Sequence, residues 1–393
     1  MDRFQYGTRG RRFRRMLGVA LGKALVGPQV VSLETTHHCN LRCSFCESHG
    51  ALLAAPITKT REYVGGRMTM NLETIQRLAK ELAEVGTDLV ELSGKGDPIA
   101  HPQLTEIVRA IKGAGIGCAL VTNATLAKPD LARTLVEVEL DRLSVSLNSG
   151  TREAYLASNK RDLWEKATQF LETVLTERRN RGGKNPWVRI THVVSKENFE
   201  TFEGMVRICT QLGVDEVQFY VMGELRESRH LQLDDAEVRR VQAQIAPLAA
   251  ELDRATIGHN LRSFHDDLAR RAVHTTTSQK NPLQMKLPCY EGWMFCVIGP
   301  DGVVVPCCYC EEEKLGNVFD QSFVEIWNGA LYNLFRKKSL ELPKVRRQIC
   351  KECFTTCNRA LENQRIHNRV HPWAPVAAET PEATVGTPGG SGA

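Results

Sequence analysis

From residue 30 to residue 222 the chain alternates short runs rich in β-branched residues with longer segments of helical periodicity. The runs are VVSLETT (30 to 36), LVELSG (89 to 94), CALVTN (118 to 123), RLSVSLN (142 to 148), WVRITHVV (187 to 194) and EVQFYVM (216 to 222). Between them lie helical patterns such as NLETIQRLAKELAEVG from Asn71 and HPQLTEIVRAIKGAG from His101, each ending at a glycine suited to a C-cap. Six strand-helix units in series require a parallel sheet with right-handed crossovers. Six is fewer than the eight of a closed barrel, so the expected fold is α/β, a partial (β/α)6 TIM-like barrel.

The rest of the chain divides around that block. Residues 1–29 read as a basic N-terminal helix, 30–222 as the barrel and 223–288 as a charged helical bridge. Residues 289–360 read as a small cysteine-rich hairpin and helix module, with a hairpin signal at GPDG between FCVI and VVVPCC. Residues 361–393 read as a tail, largely disordered, because its end is low-complexity.

Net charge is only +5, and much of it comes from Arg3, Arg9, Arg11, Arg12, Arg14 and Arg15. That is no nucleic-acid footprint for the whole protein. The arginines precede a short apolar run, but Lys23 interrupts it and Pro28 leads into the first strand, which favours a short amphipathic helix over a twin-arginine signal. No segment reaches the length of a membrane span. The expected setting is cytoplasmic and soluble.

Of 13 cysteines, Cys118 and Cys209 lie in apolar strand-like and helix-like patterns and read as core residues. The others form two groups, at 39 to 46 and at 289 to 357. Cys39, Cys43 and Cys46, spaced C-x3-C-x2-C, stand on the loop after the first strand, on the side of the sheet where α/β active sites gather. Structural zinc wants four ligands, which His37, His38 or His49 could complete. A [4Fe-4S] cluster held by three cysteines instead keeps one iron open.

The loop CNLRCSFC, with an aromatic before its third cysteine, resembles the signature of the radical S-adenosylmethionine (radical SAM) enzymes. The resemblance implies that the open iron chelates SAM, that one electron splits SAM to a 5'-deoxyadenosyl radical, and that Phe45 flanks the adenine. LSGKGDPIAHP resembles the family's glycine-rich element, with Gly94, Gly96, Asp97 and Pro98 receiving the SAM ammonium. Thr122 and Asn123 in LVTNATL, and Ser146 and Asn148 in LSVSLNSG, stand where relatives hold the ribose and carboxylate of SAM. Lys160 or Arg161 stands near the position of an arginine that pairs with that carboxylate in many relatives.

In the second group, a C-x2-C zinc ribbon is compatible with the thiols. The arrangement Cys289, Gly302-x4-Cys307, LGN, IW, Cys350-x2-Cys353 is more particular, and it resembles the SPASM and twitch auxiliary-cluster extensions of radical SAM enzymes. It implies one auxiliary [4Fe-4S] cluster on Cys289, Cys307, Cys350 and Cys353, with Cys296 or Cys357 as alternatives and Cys308 and Cys310 surplus.

The resemblance implies hydrogen abstraction from a small polar substrate (sugar, aminocyclitol or nucleoside-like), for dehydrogenation or epimerisation in natural-product biosynthesis, with a flavodoxin or ferredoxin as reductant. The first alternative is a SPASM-type maturase of a ribosomally made peptide, and the second a non-catalytic iron-sulfur or zinc protein. The expected acid/base groups facing the pocket are Arg189, His192, Tyr220 and Glu224, each placed by strand alternation.

Overall fold

A computed structural model describes residues 6–50, 68–222, 229–274, 287–308, 310–342 and 360–376. Helix α1 (Arg9–Leu21) is capped by the Thr8 hydroxyl and closed by Gly22 in the left-handed region. Its Arg11 and Arg15 reach Asp88, just before the second strand, at 3.2 and 2.8 Å. The Arg15 guanidinium also donates to the Gly27 carbonyl, so the helix is pinned beneath the sheet.

Six strands then alternate with helices. The order is β1 (Val30–Leu33), α2 (Leu72–Val85), β2 (Leu89–Leu92), α3 (Leu104–Gly113), β3 (Gly117–Thr122), α4 (Pro129–Glu137) and β4 (Arg142–Ser146), then α5 (Arg152–Asn159), α6 (Trp164–Asn180), β5 (Trp187–Val194), α7 (Phe202–Leu212) and β6 (Glu216–Val221). Neighbouring strands from β1 to β6 are parallel and adjacent in chain order. Asn71 caps α2 and Gly86 ends it in the left-handed region, as its pattern predicts.

The bridge is part of this body. Its α8 (Asp235–Arg254) opens with a capping box at Asp234 and Glu237 and packs on α7. A two-residue β7 (Gly258–His259) extends the sheet from β6, and α9 (Leu261–His274) covers β6 with Phe264 in the core. Nothing in the sequence of 258 to 259 marks a strand.

In the C-terminal module, α10 (Glu291–Met294) leads into a hairpin of β8 (Phe295–Ile298) and β9 (Val303–Val305), and β9 pairs with β10 (Gly316–Asn317). Strand β8 lies parallel to β1, giving one ten-stranded sheet ordered β10-β9-β8-β1-β2-β3-β4-β5-β6-β7. The hairpin therefore docks against the strand that precedes the three-cysteine loop. Helices α11 (Phe323–Asn328) and α12 (Ala330–Leu340) close the module around Arg336. Its fully buried guanidinium donates to Gly292 O (2.8 Å), Trp327 O (2.9 Å) and Asn333 Oδ1 (2.9 Å) between the Trp327 and Tyr332 rings.

The expected tail differs in its first part. Residues Ala360–Val370 form α13, which packs on α1, buries Ile366 and accepts the Tyr290 N–H at Asn363 Oδ1. The sparse apolar content of ALENQRIHNRV hides this helix. The groove made by α1 and α10 supplies the partner.

Candidate functional site

The site is built on the C-terminal ends of β1 to β4. After β1 the chain bridges Thr36 to Thr69, then turns into the cysteine loop, where the Cys46 N–H donates to Cys43 O at 3.0 Å. Cys39, Cys43 and Cys46 are free and half-buried, as is Phe45 between the last two. Burial pushes the Cys39 thiol up to about 11 and the Cys43 thiol higher still, and the neighbouring sulfurs add to both shifts. Among the described residues no three metal-type side chains close on a single ion. A metal must displace these thiol protons, which couples its binding to proton release.

Donors already face two of the sulfurs. The Leu41 N–H and Asn123 Nδ2 point at Cys39 Sγ from 3.5 and 3.7 Å, and the His49 N–H at Cys46 Sγ from 3.3 Å. The Cys43 S–H donates to Asn159 Oδ1 at 3.0 Å. Three thiols on one short loop, two of them with donors aimed at their sulfurs, fit a cluster-binding loop.

The loop after β2 lies against this one. Gly94 has φ of 123°, and a Cβ there would stand 2.4 Å from the Cγ of Glu34. A Cβ on Gly96 would stand 2.5 Å from Thr36 O and 2.7 Å from His38 O, and the next N–H, of Asp97, donates to His38 O at 2.8 Å. The two glycines let backbone pack on backbone beside Cys39.

The Asp97 carboxylate does not reach outward. It accepts from the Thr122 hydroxyl (2.8 and 3.0 Å), the Asn123 N–H (2.7 Å) and the Ile99 N–H (2.9 Å). Burial holds it above the usual carboxylate range, and those donors recover part of the shift. Buried Pro98 opens the turn that supplies the Ile99 N–H. Asp97 and Thr122 are therefore a clamp between the ends of β2 and β3. Asn123 extends it by bonding Asn40 Oδ1 at 3.2 Å.

Ser146 stays half-buried on the inner face, bonded to the Thr191 hydroxyl at 3.2 Å. Asn148 departs from the expected role. Its φ is 58°, its Oδ1 accepts from the Val193 N–H at 3.0 Å and its Nδ2 reaches Ser146 O at 3.4 Å, so its side chain ties β4 to β5 rather than facing a ligand. Arg161 donates to Asn40 O at 2.8 Å, inside the cysteine loop, whereas Lys160 turns to Glu197 at 2.7 Å.

Strand parity sorts the acid/base candidates. On β5, Arg189 and Thr191 face inward, and Arg189 pairs with Glu216 of β6 at 2.9 Å. Arg142 pairs in the same way with Glu91, while Gln218 and Tyr220 continue the inward face of β6. Tyr220 is 44 % exposed, open to the barrel's mouth side. His192 is a correction. It is fully buried against Phe202 and Phe219, and burial pulls its pKa down to about 4 against a smaller opposing effect of the Asn198 side chain. Its side chain belongs to the core between sheet and helices. Glu224 lies outside the described residues.

Sequence reasoning, which weighed His37 only as a zinc ligand, passed over its pairing with Glu34 and two further groups beside the loop. Glu34 and His37 form a buried pair at 2.6 Å, which the i,i+3 spacing in LETTHHC offered as a hint. Helix α5 carries the others, Tyr155 and Asn159, one turn apart on the face that meets Cys43. No local motif marks them.

In the C-terminal module Cys289 is buried and Cys307 half-buried. Cys296 is fully buried on β8 among Tyr332 and Arg336. The two thiols expected to be surplus part company. Cys308 is exposed, whereas Cys310 is 2 % exposed, disulfide-bonded, and turned back so that its N–H meets Cys307 O at 3.0 Å. Cys350, Cys353 and Cys357 lie outside the described residues. An ion pair of 2.5 Å between Lys95, in the glycine loop, and Glu311 joins this module to the site. No helix among the described residues is long and apolar enough to cross a membrane.

Comparison with known proteins agrees with this geometry. Residues 33–209 match the radical SAM superfamily, and residues 289–354 match the SPASM iron-sulfur cluster-binding domain. Among relatives, the AdoMet-dependent heme synthase of Methanosarcina barkeri is 26 % identical over 79 % of this chain and 84 % of its own length. The PqqA peptide cyclase of Gluconobacter oxydans is 26 % identical over 79 % of each chain. Among solved structures, SuiB of Streptococcus suis bound to the precursor peptide SuiA has a TM-score of 0.59 at 16 % identity, covering 86 % of this chain and 74 % of that one. AdoMet-bound anSMEcpe has 0.58 at 16 %, covering 88 % and 97 %. The chain belongs to the radical SAM superfamily, as an enzyme that uses a [4Fe-4S] cluster and S-adenosylmethionine and carries an auxiliary iron-sulfur domain of the SPASM type.

Proposed function

We propose that this enzyme is a maturase that removes hydrogen from a ribosomally made peptide. The observation that carries the reading is the peptide cyclase likeness over 79 % of both chains, joined by a fold shared with a peptide-bound enzyme. The expectation of a sugar, aminocyclitol or nucleoside substrate gives way to it. Bound at Cys39, Cys43 and Cys46 and beside Gly94 and Gly96, the cluster and SAM supply one-electron hydrogen-abstraction chemistry.

The chain's own residues supply the rest. The Asp97 clamp fixes the ends of β2 and β3, and Arg161 stiffens the cysteine loop through Asn40. The inner face presents Glu91 with Arg142 and Glu216 with Arg189, charges that neutralise one another in pairs. A lining with no net charge but many donors and acceptors suits a backbone of amide dipoles better than a strongly ionic ligand. Tyr220 and Gln218 stand at its open edge, where a phenol and an amide can hold a peptide group or pass a proton.

The test is anaerobic turnover of the reconstituted full chain with SAM and dithionite, with and without short synthetic peptides encoded beside its gene. We expect 5'-deoxyadenosine formation to rise severalfold with one peptide, and that peptide to lose two hydrogens by mass spectrometry. Unstimulated turnover with all such peptides, together with stimulation by a sugar or nucleoside, overturns the proposal.

A further inference from the structure

Helix α5 is fastened to the cysteine loop at three points. The Ser44 N–H and hydroxyl both donate to Ser158 O, at 2.9 and 3.2 Å, and the Cys43 S–H donates to Asn159 Oδ1 at 3.0 Å. Tyr155 precedes Asn159 by four residues, so the two side chains lie on one face, above one another. The Tyr155 side chain is fully buried, and its hydroxyl has no hydrogen-bond partner among the described residues.

A buried hydroxyl left unpaired costs roughly 1–3 kcal/mol, so such a group calls for an explanation. Its surroundings supply one. After burial itself, the groups that act most on the phenol are Cys43, then Asp97, then Cys39, and all push its proton affinity up. Asp97 already holds Thr122, Asn123 and Ile99, and Cys39 already faces Leu41 and Asn123. Cys43 alone of the three sulfurs faces no donor from another residue in the described structure: only its own backbone N–H acts on it, and its own proton is donated to Asn159. Once a metal replaces that proton, the sulfur becomes an acceptor without a partner from another residue.

We propose that the Tyr155 hydroxyl is the hydrogen-bond donor to the Cys43 sulfur of the bound cluster, and that this bond is a positioning contact that raises the cluster's reduction potential. The proposal rests on Cys39, Cys43 and Cys46 holding the cluster. A donor to a cluster sulfur stabilises the more negative, reduced form, so adding one raises the potential and removing one lowers it. Tyr155 thus eases delivery of the first electron without touching SAM or substrate.

The experiment is a redox titration of the first cluster, followed by electron paramagnetic resonance, in the full-length reconstituted enzyme carrying Tyr155→Phe. We expect wild-type iron content, a reduced signal that still responds to SAM, and a more negative midpoint. A tenfold fall in the reduced-to-oxidised ratio at fixed potential corresponds to about 59 mV for one electron. The metal-free variant is expected to melt no lower than the metal-free wild type, since the lost hydroxyl was unpaired there. An unchanged midpoint with a full cluster overturns the proposal. If Tyr155→Phe does not take up iron, replacement of Tyr155 by 3-fluorotyrosine decides, because a more acidic donor must move the midpoint upward and no movement refutes the bond. Absence of iron from the wild type itself, by contrast, refutes the cluster-binding reading and not the role of Tyr155.

Discussion

Gly96→Ala tests whether close backbone contact beside Cys39 is what the glycine loop provides. The added Cβ would meet Thr36 O at 2.5 Å, His37 C at 2.6 Å and His38 O at 2.7 Å, all backbone atoms, where ordinary contact begins near 3.4 Å. The two loops must separate by about 0.9 Å, the difference between 3.4 and 2.5 Å. The Asp97 N–H to His38 O bond, now 2.8 Å, would lengthen beyond hydrogen-bond range. Overpacking of about 1–3 kcal/mol and a lost hydrogen bond of about 1 kcal/mol sum to roughly 2–4 kcal/mol. His38 is joined directly to Cys39, so the first ligand moves too, in a site that tolerates only about 0.2 Å. The assay is anaerobic urea denaturation of the metal-free chain, paired with the SAM response of the reduced cluster signal. Gly113→Ala is the control, because nothing lies within 4 Å of its Cβ position. A Gly96→Ala protein with wild-type midpoint and a wild-type SAM response would refute the reasoning.

Two further outcomes follow from buried groups. His192 ordinarily titrates near 6.5 but is held at about 4 by burial. The neutral form is thus the folded one, and its contribution is present above pH 6.5, lost as pH falls through 4, and smaller by roughly 2 kcal/mol at pH 5. Denaturation of the metal-free chain at pH 7.5 and 5 should show a larger loss for wild type than for His192→Phe, and equal losses would count against a core role. Arg336→Lys replaces a fork that reaches Gly292 O, Trp327 O and Asn333 Oδ1 with one point charge. A loss of about 3–4 kcal/mol is expected on thermal or urea unfolding, and a loss below 1 kcal/mol would show that the fork is dispensable.

The barrel was legible because period and punctuation agree in it. WVRITHVV occupies β5 from its first residue to its last, and Asn71 and Gly86 bracket α2 as their chemistry dictates. Strand β7 was not legible, since two residues carry no period and owe their pairing to β6. The pairing of β8 with β1 joins residues far apart in the chain, and nothing local encodes that register. The cysteine loop announced itself by spacing, whereas Tyr155 and Asn159 take their meaning from a helix docking on it. Asn148 shows the opposite limit. A side chain at the right strand end can be consumed by its neighbours, here the Val193 N–H and Ser146 O, which only coordinates reveal.

His192 was nonetheless recoverable from the sequence. Side chains alternate along a strand, so Arg189 and His192, three apart, cannot share a face. Val188, Ile190 and Val194 set the apolar parity of β5, and His192 falls with them, while Arg189, Thr191 and Val193 take the other side. The same rule divides β6 into Val217 and Phe219 against Glu216, Gln218 and Tyr220. One parity makes the core that fixes the strands, and the other makes a chamber whose ion pairs bridge neighbouring strands. A slip of one residue would bury Arg189 and Glu216 among Phe202 and Phe264 and turn Phe219 inward. The penalty for that exchange holds the register. Register in turn delivers the ends of β1 to β4, and the loops they carry, to the same rim of the sheet. The polar lining and the precision of the cysteine site thus share one cause: an apolar parity strong enough to leave the opposite face free for chemistry.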